Sequence, residues 1–217
     1  MFIICRKEKN LNNFSIRIFS CRKEKADAIV ESLKPIPSKH FDGTGYDGFS
    51  KLINHCINDC ENETVILIAD KMKPKKEEIY KMINLLESGF ALVNLHLFAF
   101  FAFKKQLIRE IGFWDERFRG GEMSDCDFLR RVKHHNVAIY ESEEAERIWE
   151  PSTWHGGNVK EFYTEKWKEN SDCDYKLLKE ETYFYDLGPG VPCSWKPFNE
   201  SVLIHESFKN KRIEYTT

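Results

Sequence analysis

The sequence has no long apolar segment and no excess of charge of either sign. Its 217 residues include 33 Lys and Arg against 35 Asp and Glu, which leaves a formal net charge of −2. A chain so balanced gives no reason to expect nucleic acid or an anionic membrane as its main partner. No window reaches the roughly 18 apolar residues that a membrane-spanning helix needs, so the sequence predicts no membrane span.

The start of the sequence does not have the order of a signal peptide. The segment MFIICRKEKN places its apolar residues before a basic cluster, which is the reverse of an export signal. The seven cysteines are an odd number, and without an export signal they favour reduced thiols over a disulfide framework. These features predict a soluble, cytoplasmic protein.

Cys56 and Cys60 are the most closely spaced cysteines, and His55 stands next to the first of them. On a helix the two thiols would share one face. A zinc site would need a further ligand and usually a tighter spacing, so the pair favours structural thiols.

Strand-like and helix-like segments alternate along the chain up to residue 112. The strand-like runs are 15–19, 64–69, 90–95 and 98–103, and the helix-like segments are 25–33, 46–59, 75–89 and 104–112. This alternation predicts an α/β fold with a mixed, mostly parallel central sheet flanked by helices. The uninterrupted apolar run from Val65 to Ile68 predicts a central strand that is buried on both faces.

Asp70 follows the run 64–69 directly, and Pro74 soon interrupts the chain. In parallel α/β sheets, ligands bind beyond the carboxyl ends of the strands. A carboxylate at that point can face a bound cation or a ribose hydroxyl. The alternative interpretation of Asp70 is an ordinary turn aspartate.

A second acidic segment, RGGEMSDCDFLRRV, spans 119–132 and contains Glu122, Asp125 and Asp127. Its two glycines allow the backbone to approach a ligand, and Asp125 is placed to begin or cap the helix that follows. Acids in the first turn of a helix are also common for electrostatic reasons alone. His155, in PSTWHGGN, is a third candidate, although a single histidine is often a hydrogen-bonded surface group.

Taken in order, these segments resemble the GT-A class of nucleotide-sugar-dependent glycosyltransferases. The stretch 45–71 looks like the helix and strand that lead to the acidic metal motif of that class. FAFFAFKKQLIREIGFWDERFRGGEMSDCDFLRRV, 98–132, is similar to the acidic segment of the β-1,4-galactosyltransferase type. Lys166 and Trp167 resemble its Lys-Trp segment. The likeness covers about 14–168 and implies a single GT-A-like domain over 1–217, in which 169–217 is an irregular C-terminal segment.

The resemblance assigns roles position by position. It implies that Asp70 belongs to the metal and nucleotide motif, that Asp125 is the catalytic base, and that Asp127 is the acidic residue that follows the base. His155 matches a histidine that completes the metal site in some members. In such a site Mn²⁺ or Mg²⁺ on Asp70 and His155 would stabilise the diphosphate leaving group, while a carboxylate removes the proton from the acceptor hydroxyl.

Two departures from the family pattern leave alternatives open. The metal motif of the class usually has acids at both ends, whereas this chain reads Ala69-Asp70-Lys71. The Lys71 ammonium could therefore neutralise the diphosphate in place of a metal. Two residues also separate Glu122 from Asp125, so Glu122 is an alternative base, although alignment backwards from DFLRR favours Asp125.

Nucleotide and sugar contacts can be assigned to several further side chains. Tyr46 could stack on the uracil and Lys51 could reach a phosphate, although each is equally typical of a protein surface. Phe113, Trp114 and Trp154 could form a platform for a sugar ring, with core packing as the alternative for Phe113.

The sequence thus predicts a metal-assisted glycosyltransferase that moves a hexose or deoxyhexose from a UDP-sugar to a hydroxyl of a glycan or glycoprotein. A base at Asp125 implies inversion. The alternatives are a retaining enzyme of the same fold, a nucleotidyltransferase, and a non-catalytic nucleotide- or sugar-binding module. A nucleotidyltransferase would need a glycine-rich loop after the first strand, and CRKEKADA, 21–28, has no glycine. The chain also resembles chlorella-virus capsid glycosyltransferases, which would place it in the host cytoplasm.

Overall fold

The computed structural model describes residues 13–46, 48–116, 124–135 and 137–148. Six strands and five helices occur in these ranges. The strands are β1 (Phe14–Ser20), β2 (Lys39–Asp42), β3 (Thr64–Ala69), β4 (Leu92–His96), β5 (Phe100–Lys104) and β6 (Ile139–Glu141). The helices are α1 (Lys23–Leu33), α2 (Phe49–Asp59), α3 (Lys76–Glu87), α4 (Lys105–Ile111) and α5 (Ser124–His134).

The strands form one sheet in the order β2-β1-β3-β5-β4-β6. β1 is parallel to both β2 and β3, and β4 is parallel to β6. β5 is antiparallel to its neighbours β3 and β4. Because residues 97–99 are too few for a crossover, β5 has to return antiparallel beside β4. The prediction of a mixed, mostly parallel sheet flanked by helices is confirmed.

The centre of the sheet is apolar on both faces, as the run from Val65 to Ile68 predicted. All four of these side chains are fully buried in β3. The side of β5 that faces α5 adds an aromatic cluster in which Phe98 and Phe101 contact Trp114. The core therefore lies on β3 and β5. β2 and β6, the two strands that the sequence analysis did not predict, lie at the edges of the sheet, where their side chains are only partly buried.

The short connections follow from local sequence. Only Cys21 and Arg22 separate β1 from α1, so no glycine-rich phosphate loop lies between them. α3 begins after Pro74, and the Lys75 N–H donates to the Glu78 carboxylate at 2.7 Å, which satisfies one donor at the helix start. α4 ends at Gly112, whose φ of 83° is accessible to glycine at little cost.

Cys56 and Cys60 lie in the hydrophobic core, where α2 packs on the sheet. The Cys60 Sγ–H donates to the Cys56 carbonyl oxygen at 3.3 Å. Burial raises the pKa of the Cys56 thiol well above its usual value. This environment agrees with the interpretation of the pair as structural thiols.

None of the helices in the described ranges combines the length and the apolar composition that crossing a bilayer would require. The longest of them, α3, has 12 residues. A bilayer-spanning helix needs about 20.

Substitution of Leu67 tests the central position of β3. The Leu67 side chain is fully buried in the strand that pairs with both β1 and β5. We expect Leu67→Ala to lower the free energy of unfolding by about 2–5 kcal/mol, because it leaves a cavity that the sheet cannot close. Leu67→Met is the matched control and should cost less than about 1.5 kcal/mol. Urea unfolding measures both, and equal losses would contradict a tightly packed β3.

Candidate active site

The carboxyl ends of β1 and β3 lie side by side at one edge of the sheet. The two strands are parallel, and their register aligns Phe19 with Ala69. The residues that follow, Ser20 to Arg22 on one strand and Asp70 to Lys71 on the other, therefore meet. This is the edge at which parallel α/β sheets bind ligands.

Asp70 is held by the end of β1. The Arg22 guanidinium donates to both of its oxygens, from Nε to Oδ2 at 2.8 Å and from Nη2 to Oδ1 at 2.7 Å. The Ser20 hydroxyl donates to Oδ2 as well. The Asp70 side chain is only 13% exposed, so this is a partly buried, bidentate ion pair of the strong kind. Both carboxylate oxygens are thus engaged by the protein itself.

Two further cationic residues, Lys71 and Arg147, lie near the ion pair of Arg22 with Asp70. The Ile148 N–H donates to the Lys71 carbonyl at 2.7 Å, and the Lys73 N–H donates to the Glu146 carbonyl at 2.9 Å. Between them Arg147 pairs with Met72 in an antiparallel bridge. These backbone contacts bring Arg147 next to Lys71.

The charged groups that act on Lys71 are two cations, Arg22 and Arg147, and two acids, Asp70 and Asp125. Burial lowers the pKa of the Lys71 ammonium, and the Arg147 guanidinium lowers it further, while Asp70 and Asp125 act in the opposite direction. The Nε of Arg147 is buried and has no hydrogen-bond partner among the described residues. We call Arg22, Lys71 and Arg147 the cationic cluster.

His96, at the end of β4, lies beside the cationic cluster. Burial lowers the pKa of its imidazole, Arg147 and Lys71 lower it too, and Glu143 opposes them. Its Nδ1 is buried without a hydrogen-bond partner within the described ranges. At neutral pH a neutral imidazole is therefore expected at this position.

Asp125 faces the same edge of the sheet from α5. The helix begins at Ser124, one residue before the predicted cap, so Asp125 belongs to its first turn. Its Oδ1 accepts a hydrogen bond from the Cys126 N–H at 2.8 Å, and the side chain is half-buried. The Asp125 carboxylate is near enough to Lys71 to raise the pKa of its ammonium, so the start of α5 lies toward the same ends of the strands.

Asp127 points into the protein instead. It is fully buried and pairs with Arg131 at 3.1 Å, from Nε to Oδ2. Arg131 also donates to the Ile111 and Phe113 carbonyls, each at 2.8 Å. These contacts tie α5 to the turn after α4 and give Asp127 a part in positioning the helix.

Asn54 of α2 holds the same turn from another side, and sequence reasoning missed it. Its Nδ2 donates to the Trp114 carbonyl at 2.9 Å and to Glu116 Oε1 at 2.8 Å. Its Oδ1 accepts from the Trp114 N–H at 2.9 Å. The available signal was weak, because Asn54 is one of several polar residues in α2, and only its burial shows that its amide must find partners.

The aromatic platform predicted for a sugar ring is wrong at Trp114. This side chain is fully buried, and its ring stacks on Phe128 with centroids 3.4 Å apart and an interplanar angle of 8°. Phe113 is partly buried against the core. The aromatic residues of the GFW segment thus serve packing, and Trp154 lies outside the described residues.

The predicted nucleotide contacts lie near the end of β2. The Tyr46 ring packs edge-on against His55, with centroids 5.1 Å apart, and also contacts Phe41. Lys51 is 3% exposed on α2, so its stem is enclosed by the protein. Neither Tyr46 nor Lys51 is among the groups that shift the pKa of Lys71.

Glu122 and His155 lie outside the described residues, as do Lys166 and Trp167. In the part of the chain that the structure describes, no three His, Cys, Asp or Glu side chains group as a metal site would require. A groove of about 480 Å³ lies at the opposite edge of the sheet, between Asp59, Lys105 and Arg109. It is separate from the cationic cluster.

Comparison with known proteins identifies the fold. No protein-family model and no curated protein sequence matches the chain. Among solved structures, the chain is similar to a mutant of Drosophila β1,4-galactosyltransferase 7 in complex with manganese, UDP-Gal and xylobiose. The sequence identity is 10% and the TM-score 0.52, over 70% of this chain and 79% of that one. The catalytic domain of the same Drosophila enzyme with xylobiose gives 12% identity and a TM-score of 0.51, over 69% and 78% of the two chains.

A third structure is a mannosyltransferase from Pyrobaculum calidifontis in complex with GDP-Man and Mn²⁺. It shares 11% identity and a TM-score of 0.50, over 66% of this chain and 59% of that one. At these identities the likeness establishes the fold and nothing finer. The chain has the GT-A fold, as its resemblance to this class predicted.

The buried pair of Asp127 and Arg131 provides a test of the positioning role. We expect Arg131→Met to lower the free energy of unfolding by about 3–5 kcal/mol, because it leaves the Asp127 carboxylate buried without its counter-charge. The double variant Asp127→Leu with Arg131→Met removes both charges and should recover part of that loss. Urea unfolding compares the three proteins. If Arg131→Met were as stable as the unmodified protein, the positioning role of the Asp127–Arg131 pair would be contradicted.

Proposed function

We propose that the protein is a glycosyltransferase that moves a hexose or deoxyhexose from a UDP-sugar to a hydroxyl of a glycan or glycoprotein. The observation that carries the proposal is the position of Asp70 and Lys71 at the carboxyl ends of β1 and β3 in a GT-A fold, with Asp125 acting on the charge of Lys71. The similar solved structures hold UDP-Gal in one case and GDP-Man in another. The resemblance of segment 98–132 to the β-1,4-galactosyltransferase type favours UDP.

The chemistry of glycosyl transfer suits this distribution of charge. An acceptor hydroxyl has to lose its proton as it attacks the anomeric carbon, and the Asp125 carboxylate is our proposed general base. The departing diphosphate gains negative charge, which fixed positive groups stabilise. A base on the face opposite the leaving group implies inversion, with retention as the alternative.

The base is assigned to Asp125 over the two other acids of its segment. Asp127 is enclosed by Arg131 and the turn after α4, which leaves it a positioning role. Glu122, outside the described residues, remains the alternative base.

A divalent cation on Asp70 and His155 was predicted from the resemblance. The described residues around Asp70 do not fit such a site, because Arg22 and Ser20 already engage both carboxylate oxygens and Lys71 adds a further positive charge. His155 is outside the described residues. We therefore derive no step of the reaction from Mn²⁺ or Mg²⁺.

Two finer predictions remain proposals. They are the likeness to chlorella-virus capsid glycosyltransferases, with its cytoplasmic location, and the single domain over 1–217. The nucleotidyltransferase alternative is disfavoured, because α1 begins two residues after β1 and leaves no room for a glycine-rich loop.

Release of UDP from a panel of UDP-sugars, with GDP-mannose as a further donor, tests the proposal. We expect slow hydrolysis of at least one donor, because water can replace the acceptor at an active transferase site. Each donor is assayed with EDTA and with Mn²⁺. Binding of a nucleotide sugar without any turnover, even with an acceptor glycan library, would instead indicate a non-catalytic binding module.

Substitution of Asp125 tests the assignment of the base. We expect Asp125→Asn to leave UDP binding nearly unchanged and to lower kcat for transfer by about 100-fold or more, as loss of a general base does. Glu122→Gln is the matched control and should retain most activity. The reverse pattern would move the role of base to Glu122.

A further inference from the structure

We propose that the diphosphate of the donor is bound by the side-chain cations Lys71 and Arg147, so that donor binding does not require a divalent metal. This inference rests on the proposed function, because it identifies how the same site holds the nucleotide. It differs from the metal-assisted site that the resemblance implied.

The backbone places Arg147 opposite Met72, one residue along the chain from Lys71. Segment 146–148 pairs with 71–73 through the Ile148–Lys71 and Lys73–Glu146 hydrogen bonds, at 2.7 and 2.9 Å. Arg147 is the central residue of this pairing, in a bridge with Met72, which is itself buried. A β-type pairing anchored in the core holds the backbone of both residues in place before a ligand arrives, which lowers the entropic cost of binding.

The balance of charge at this edge favours an anion. The cationic cluster carries three positive charges, and the acids that act on Lys71 are Asp70 and Asp125. Asp70 is already neutralised by Arg22 in a bidentate pair. Asp125 is the other acid that acts on Lys71, and one positive charge is left without a counterpart among these five groups.

Partial burial makes this excess costly in the free protein. Lys71 and Arg147 are both half-buried, and the Arg147 guanidinium lowers the pKa of the Lys71 ammonium. The Arg147 Nε is buried with no hydrogen-bond partner among the described residues, although a buried donor normally has one. A diphosphate would supply both the missing negative charge and the missing acceptor.

The same groups disfavour the binding of a divalent cation. It would add two positive charges next to Lys71 and Arg147, and it would have to take Asp70 away from Arg22. Metal ligation at Asp70 would therefore cost the bidentate ion pair before it gained a bond.

Calorimetric binding of pyrophosphate, UDP and uridine in the presence of EDTA tests the inference on the full chain. We expect pyrophosphate and UDP to bind without metal, and UDP to bind more tightly than uridine. Lys71→Met or Arg147→Met should weaken pyrophosphate and UDP by about 10-fold or more, because each removes a charge-assisted hydrogen bond. Uridine, which has no phosphate, should bind all variants equally.

Lys73→Met is the matched control. Lys73 lies two residues from Lys71 in the same segment, but it is exposed and pairs with the Glu146 carboxylate at 2.5 Å. We expect it to change pyrophosphate binding by less than about 2-fold, as for a screened surface cation. Lys71→Arg keeps the charge and should retain most of the affinity. Circular dichroism verifies that each variant is folded.

The comparison with and without metal uses the unmodified protein, so it remains informative even where a variant fails to fold. Binding of pyrophosphate and UDP only after Mn²⁺ is added would overturn the inference, and so would unchanged affinity in folded Lys71→Met and Arg147→Met. Metal-free pyrophosphate binding that depends on Lys71 and Arg147, together with no turnover of any donor, would leave the anion site standing and refute the transferase.

Discussion

The parallel pairing of β1 with β3 determines where the candidate site lies. Because Phe19 is in register with Ala69, the two strands end at the same level, and Arg22 reaches Asp70 across the gap. That ion pair also affects the neighbouring residues, because Arg22 neutralises the charge of Asp70. With Asp70 paired to Arg22, Asp125 of α5 is the other acid that acts on the charge of Lys71.

Much of the fold could be predicted from the sequence because its strongest segments carry their own signals. β3 matches the predicted run 64–69, since a strand buried on both faces has to be apolar throughout. α3 is marked by Pro74 before it and a glycine after it. β2 and β6 were missed because they are short edge strands whose side chains are partly exposed, so no alternation of apolar and polar residues distinguishes them.

The site was predictable only in part, because its contacts join residues far apart in sequence. Asp70, Lys71 and Asp125 were recognised from motifs that each lie within one segment. Arg147 reaches the site because its segment pairs with the loop after β3, more than 70 residues earlier in the sequence. No local sequence pattern predicts such a contact. Asp127 is only two residues from Asp125 in the sequence, but two residues turn an α-helix by about 200°, so Asp127 is buried while Asp125 is half-exposed.

The antiparallel direction of β5 determines the path of the chain that follows it. Since β5 runs antiparallel to β3, it ends at the edge opposite the cationic cluster, where Lys104 pairs with Thr64. α4 starts from there and leads back toward the turn at Trp114, so that α5 can begin at the edge where the other strands end. A β5 in the other orientation would have sent the following helix away from this edge. One strand of opposite direction therefore brings an acid, Asp125, within electrostatic range of a cation, Lys71, that is more than 50 residues away in sequence.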